Sequence, residues 1–189
     1  MQAQPSTVIR GWIKGVEGAN VTADKLKTFT DSDYASSLSR RSRTGYAIYL
    51  GNNLLSWRSR RQSVVSLSTC EAELYALCDG AKETMRLSRL LYEMINRRLY
   101  EDHVAVQPAE LRCDNKSTIS VAKESGRIPK VVKHIATRTK WVCERVQDNE
   151  FVLEYVTSQE NVADLFTKTL KPERFKALVK KLNMDMVDQ

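Results

Sequence analysis

No apolar run in this sequence approaches the length of a membrane span, which argues against a transmembrane helix. The opening MQAQPSTVIR has neither the charged start nor the apolar stretch of a secretory signal, so none is expected. The four cysteines, Cys70, Cys78, Cys113 and Cys143, form no CxxC pair and sit inside periodic apolar segments. That arrangement argues against a zinc site or a disulfide framework and reads as buried free thiols in a reducing compartment. Internal repeats and low-complexity tracts are also lacking.

What is present suits one folded domain. The 189 residues are enough for a sizeable core and too few for two full domains. Hydrophobic residues make up 42% and charged residues 28%. Thirty basic residues against 23 acidic ones leave a net charge of +7. A basic balance suits a polyanionic partner, and equally a merely solvated surface.

The pattern along the chain gives an order of elements. TVIRGWIK reads as a short helix and GVEGANVTADK as loop or tether. LKTFT is a strand running into Asp31, and TGYAIYLG is a second one bounded by turn residues. Asn52 and Asn53 suggest a hairpin turn into LLSWRSR, and SVVSLS is a third candidate strand. Ser68 and Glu71 form a capping-box pattern that opens a long helix. Along it Leu74, Leu77, Ala81, Leu87, Leu91 and Met94 recur on one face, with Thr84 the polar exception. The strand AELRC, the short helix STISVAKE, a break at Gly126 and Pro129, and a helix over Val131 to Val146 follow. EFVLEYV is the last strand. Thr157 with Glu160 forms a second capping box before VADLFTKTL, and PERFKALVKK is a further amphipathic helix. Strands followed by helix–strand alternation imply an α/β fold, a mixed sheet covered by helices.

Four acidic residues fall at junctions between these elements: Asp31 and Asp114 at strand ends, Glu73 and Asp164 near helix starts. Such positions on one sheet edge can converge. Magnesium favours carboxylate oxygens, and two ions about 3.5–4 Å apart serve phosphodiester cleavage. Other roles fit the same residues: Asp114 suits a helix cap and Asp164 the positive end of a helix dipole.

Several segments resemble the ribonuclease H domain of copia-type retrotransposon Pol polyproteins. They are TFTDSDYASSLSRRSRTGYAIYLGNNLLSWRSRRQSVVSLSTCEAELYAL, LRCDNKSTISVAK, KHIATRTKWV and YVTSQENVADLFTKTL, in the family's order and spacing. The likeness covers about Leu26 to Leu170. Residues 1–25 resemble the segment that follows reverse transcriptase, and residues 171–189 read as a C-terminal helical tail. The resemblance implies a ribonuclease H-like fold with a five-stranded mixed sheet flanked by helices. It places the metal-binding and catalytic quartet on Asp31, Glu73, Asp114 and Asp164.

Two of these have rivals. Asp33 shares a strand face with Asp31, but Asp31 directly follows the hydrophobic-Phe-Thr stretch of the family pattern. Glu71 and Glu73 point about 160° apart on a helix, and Glu71 is already placed to serve Ser68 as a cap. The histidine that many cellular ribonucleases H carry before the fourth carboxylate is missing: no histidine lies between Phe151 and Asp164. Of the two histidines, His103 and His134, the second belongs to the K-H-I pattern and reads as a substrate contact or an ordinary structural residue.

Arg40, Arg41, Arg43, Arg58, Arg60 and Arg61 are candidate phosphate contacts, or else a charged sheet edge. Asn115 and Ser117 are placed to touch backbone or 2′-hydroxyl groups. The resemblance thus implies two-metal hydrolysis of the RNA strand of RNA–DNA hybrids during reverse transcription. Mg²⁺ would be the cofactor, as two ions, with Mn²⁺ as substitute. Partners would be the hybrid and the reverse transcriptase domain of the same polyprotein, with no membrane. The setting would be intracellular and cytoplasmic, virus-like particles included. The alternatives are a non-catalytic remnant that binds nucleic acid or protein, and an integrase-like nuclease for which three carboxylates suffice.

Overall fold

The computed structural model describes residues 11–13, 25–98, 108–124 and 135–186. The strand β2 (Leu26–Asp33) alternates buried and half-buried positions until Thr30, then stays buried through Ser32, where the acidic cluster forms. It pairs antiparallel with β3 (Arg43–Leu50), which pairs antiparallel with β4 (Asn53–Arg61). The turn between β3 and β4 sits at Gly51 and Asn52. Gly51 has φ 59, the left-handed region that a glycine enters without steric cost. On the other side of β2, β5 (Ala109–Cys113) and β6 (Phe151–Tyr155) continue the sheet in parallel, in the order β4-β3-β2-β5-β6. This is the five-stranded mixed sheet expected from the sequence.

SVVSLS is not a strand. Its Val64 and Val65 are both exposed, so the alternation that buries one strand face never develops. TVIRGWIK, expected as a helix, contributes the strand β1 (Gly11–Ile13), paired antiparallel with β7 (Met184–Met186).

The helix α1 (Thr69–Arg98) starts where the capping pattern placed it. Ser68 Oγ accepts from Glu71 N at 3.1 Å, and the Glu71 carboxylate accepts from Leu67 N. Leu74, Leu77 and Ala81 are buried and Leu87 and Leu91 half-buried, whereas Met94 is 51% exposed. Thr84 is accounted for: its hydroxyl meets Thr28 Oγ1 at 2.6 Å and donates to Gly80 O. The helices α2 (Lys116–Lys123) and α3 (Ala136–Gln147) pack beside α1. The first core layer joins Tyr46, Ile48, Leu77, Leu111, Val142 and Leu153.

A second apolar layer covers the opposite face. Ala47, Tyr49 and Leu54 from the sheet meet Val162 of a 3-10 helix (Val162–Phe166) and Leu178 and Leu182 at α4 (Pro172–Lys181). Asn161, not Thr157, caps the 3-10 helix. Its side chain accepts from Ala163 N and donates to Thr30 O at 3.0 Å, tying the helix to β2. Thr157 instead offers its backbone carbonyl to Glu160 N and Asn161 N. All four cysteines are free, with Cys78, Cys113 and Cys143 buried. Among the described residues no helix is long and apolar enough to cross a membrane.

Candidate metal centre

The parallel strands β2 and β5 end side by side, and α1 begins beside them. Asp31 near the end of β2, Glu73 in the first turns of α1 and Asp114 after β5 each offer a carboxylate oxygen within 4.8 Å of the others. Asp31 is 1% and Glu73 6% exposed. Glu73 Oε1 accepts from Ser32 N at 3.2 Å, while its Oε2 is buried with no hydrogen-bond partner. Asp114 Oδ2 accepts from Ser158 Oγ at 2.6 Å. The cap of α2 is Asn115, whose side chain accepts from Thr118 N, so Asp114 is left to the cluster.

The electrostatics are those of a group of carboxylates short of positive charge. Burial lifts Asp31 from 3.8 to about 6, against the pull of Lys168 and Thr167. Burial first, then the charges of Asp31 and Asp114, push Glu73 well above the usual range. An orphaned buried oxygen and carboxylates drawn together fit an oxygen-seeking divalent ion. Of the rival acids, Asp33 lies opposite Arg43 at the last β2 position, and Glu71 is engaged at the start of α1; neither belongs to the cluster.

Asp164 stands apart from the trio. It is 2% exposed, in the first turn of the 3-10 helix, and two cations hold it. Lys168 Nζ lies 2.9 Å from its Oδ1 and 3.0 Å from Asp31 Oδ1, while Arg174 of α4 binds its Oδ2 and also donates to Ser158 O. Burial pulls the Lys168 ammonium down, but Asp31 and Asp164 outweigh it, so Lys168 holds its proton more firmly than a free lysine. Thr167 Oγ1 donates to the second Asp31 oxygen.

Gly45 permits this closeness. It faces Asp31 across the β2–β3 ladder, and a Cβ there would lie 2.6 Å from Thr167 Cγ2 and 2.9 Å from Ala163 O. Gly45, Asn161, Thr167, Lys168 and Arg174 were not singled out from the sequence. The first four lie inside the segments T-G-Y and E-N-V-A-D-L-F-T-K that carry the family resemblance. Arg174 had no signal, because it follows the recognised segment.

The arginines do not form one patch. Opposite residues of antiparallel strands share a face. Arg43 and Arg61 therefore lie on the Asp31 face, with Gly45 and Ser59, while Arg58 and Arg60 share the other face with Tyr46 and Thr44. Arg40 and Arg41 are exposed in the β2–β3 loop. Ser117 is exposed at the start of α2. His134 lies outside the described residues.

A sheet of three antiparallel strands extended by two parallel ones is an architecture that solved structures share. The N-terminal RNase H domain of rv2228c from Mycobacterium tuberculosis, solved as a fusion with maltose-binding protein, matches 84% of this chain and 98% of its own, with TM-score 0.51 and 12% identity. RNase H1 from Halobacterium salinarum matches 76% and 94%, with TM-score 0.50 and 12% identity. The fold is that of ribonuclease H.

Within that class, the chain's homologues are Pol polyproteins of copia-type retrotransposons. It is 35% identical over 151 residues to the retrovirus-related Pol polyprotein from transposon TNT 1-94 of Nicotiana tabacum, spanning 79% of this chain and 11% of the relative. It is 25% identical over 158 residues to the transposon Ty1-JR1 Gag-Pol polyprotein of Saccharomyces cerevisiae, spanning 84% of this chain and 8% of the relative. The chain thus spans about a tenth of the length of the curated relatives it matches. No family model matches it.

Proposed function

We propose that the chain is a metal-dependent endonuclease that hydrolyses the RNA strand of RNA–DNA hybrids in retrotransposon reverse transcription. The observation that carries this reading is the convergence of Asp31, Glu73 and Asp114 at the end of a ribonuclease H-fold sheet. When bound, Mg²⁺ or Mn²⁺ supplies Lewis acidity for the attacking water and the leaving 3′ oxygen. Asp31, Glu73 and Asp114 would hold one ion, and Asp31 with Asp164 a second. Ser32 N and Ser158 Oγ orient Glu73 and Asp114, and Asn161 fixes the element that carries Asp164.

The partners proposed are the hybrid and an upstream reverse transcriptase domain, in a cytoplasmic setting. Arg43 and Arg61, on the Asp31 face, are the arginines best placed for phosphates near the reacting strand. Ser117 and the Asn115 amide group lie just beyond Asp114, where a 2′-hydroxyl would distinguish RNA from DNA. The test is substrate choice. Incubation with a hybrid, an RNA duplex and a DNA duplex of one sequence should cut only the RNA of the hybrid. Cutting of DNA would favour the integrase-like reading, and binding without any cutting the non-catalytic one.

A further inference from the structure

The two sides of Asp31 are unequal. Toward Glu73 and Asp114 the carboxylates face one another, and no cation among the described residues pairs with either. Toward Asp164 every carboxylate oxygen already has a donor. Lys168 bridges Asp31 Oδ1 and Asp164 Oδ1, Thr167 takes the other Asp31 oxygen, and Arg174 takes the other Asp164 oxygen.

The charges on the Asp164 side balance, two carboxylates against an ammonium and a guanidinium. A divalent ion added to that set leaves a buried excess of positive charge, which a site of low exposure disfavours. An ammonium and a small divalent ion that both need the Asp31 and Asp164 oxygens also cannot share the space between them. The two cations differ in how readily they leave. Arg174 is anchored twice, on Asp164 and on the Ser158 carbonyl. Lys168 is 35% exposed, and its ammonium is a compact charge on a flexible four-carbon stem that can turn to solvent.

We infer that Lys168 is the resident cation of the Asp31–Asp164 half and gates entry of a second divalent ion there. The chain takes its first ion at Asp31, Glu73 and Asp114. The second binds only as Lys168 swings out, which makes it the weaker of the two. Lys168 is on this account a positioning residue, and the inference rests on the metal-ion reading given above.

Mn²⁺ binding to the full chain without nucleic acid tests it, by calorimetry for affinity and by electron paramagnetic resonance for coupled ion pairs. The wild-type chain should bind one ion, with a second at least tenfold weaker. Lys168→Met should tighten the second ion at least tenfold and give the coupled-pair signal at lower Mn²⁺. Lys168→Arg keeps the charge and should behave as wild type. Without metal, Lys168→Met leaves a buried negative charge short of its partner, so its melting temperature should fall and Mn²⁺ should restore it. If Lys168→Met fails to fold, Lys168→Gln reaches the same oxygens without charge and carries the same expectations. A second-ion affinity unchanged in the uncharged variant overturns the role of Lys168 and leaves the metal reading standing. No Mn²⁺ bound by any of the proteins overturns the metal reading itself, and the gate with it.

Discussion

Gly45 of β3 faces Asp31 of β2 across the sheet, and the space where its side chain would stand is filled by Thr167 and the Ala163 carbonyl. The close seating of the 3-10 helix, and with it the position of Asp164, depends on that missing side chain. Gly45→Ala should therefore push the helix away by several tenths of an ångström. The strain is that of overpacking, about 1–3 kcal/mol. Hybrid cleavage should fall at least tenfold while the far-ultraviolet circular dichroism stays that of a folded chain. Wild-type cleavage by Gly45→Ala would show that the position of Asp164 tolerates the shift.

The paired acids give a second expectation. Asp31→Asn and Glu73→Gln should each lower cleavage by about 10²–10³-fold or more, as removal of a group that organises charge at a reacting centre does. Asp33→Asn should be mild. Glu71→Gln should cost mainly helix-start stability, about 0.5–2 kcal/mol. Steady-state rates and melting curves on the four variants separate these effects, and a dead Asp33→Asn beside an active Asp31→Asn would reverse the assignment.

Stability should depend on pH in a direction set by the same acids. In the ion-free protein Asp31 titrates at about 6 instead of 3.8, and Glu73 is also raised. Between those values the native state holds protons that the unfolded chain has released, so this contribution to stability falls as pH rises through the window. A divalent ion favours the ionised carboxylates and opposes the loss. The melting temperature gained on adding Mg²⁺ should then be small near pH 4.5 and larger at pH 7. A gain independent of pH would mean that Mg²⁺ binds elsewhere.

Contact with the hybrid should be largely electrostatic. Apparent affinity should fall steeply with salt, and replacing both Arg43 and Arg61 by alanine should reduce the log–log slope by about 2. Fusion to a reverse transcriptase domain should raise the effective concentration of hybrid and tighten apparent binding more than it changes turnover at saturation. Equal affinity in fused and isolated forms, with little salt dependence, would point to an autonomous enzyme.

The strands of the five-stranded sheet, the long helix and its cap are legible because each rests on local signals: alternation, the Ser68–Glu71 spacing, turn residues. The short pair β1–β7, which lies in segments that read as helical, is not. The trio was legible only as strand ends and helix starts supplemented by a family pattern. What stayed hidden are contacts between distant residues. Asp31 meets Thr167 and Lys168 more than a hundred positions away, and Arg174 reaches Asp164 from a helix that read only as amphipathic. Local chemistry also misled where two readings share one pattern. Thr157 and Glu160 have capping-box spacing, yet Asn161 takes the cap because its amide also reaches Thr30 O. Val64, Val65 and Leu67 have the composition of a strand, but all three are exposed in the loop that leads into α1.

The most direct test of the account is a divalent-ion titration of cleavage on a hybrid carrying labelled RNA, run with the wild-type chain and Asp31→Asn. The account predicts internal cuts in the RNA that appear with Mg²⁺ or Mn²⁺, vanish with a chelator, return when the ion is restored, and are lost in Asp31→Asn. Cleavage that persists in the chelator, or a folded wild-type chain that binds hybrid and leaves the RNA intact at every ion concentration, would contradict it.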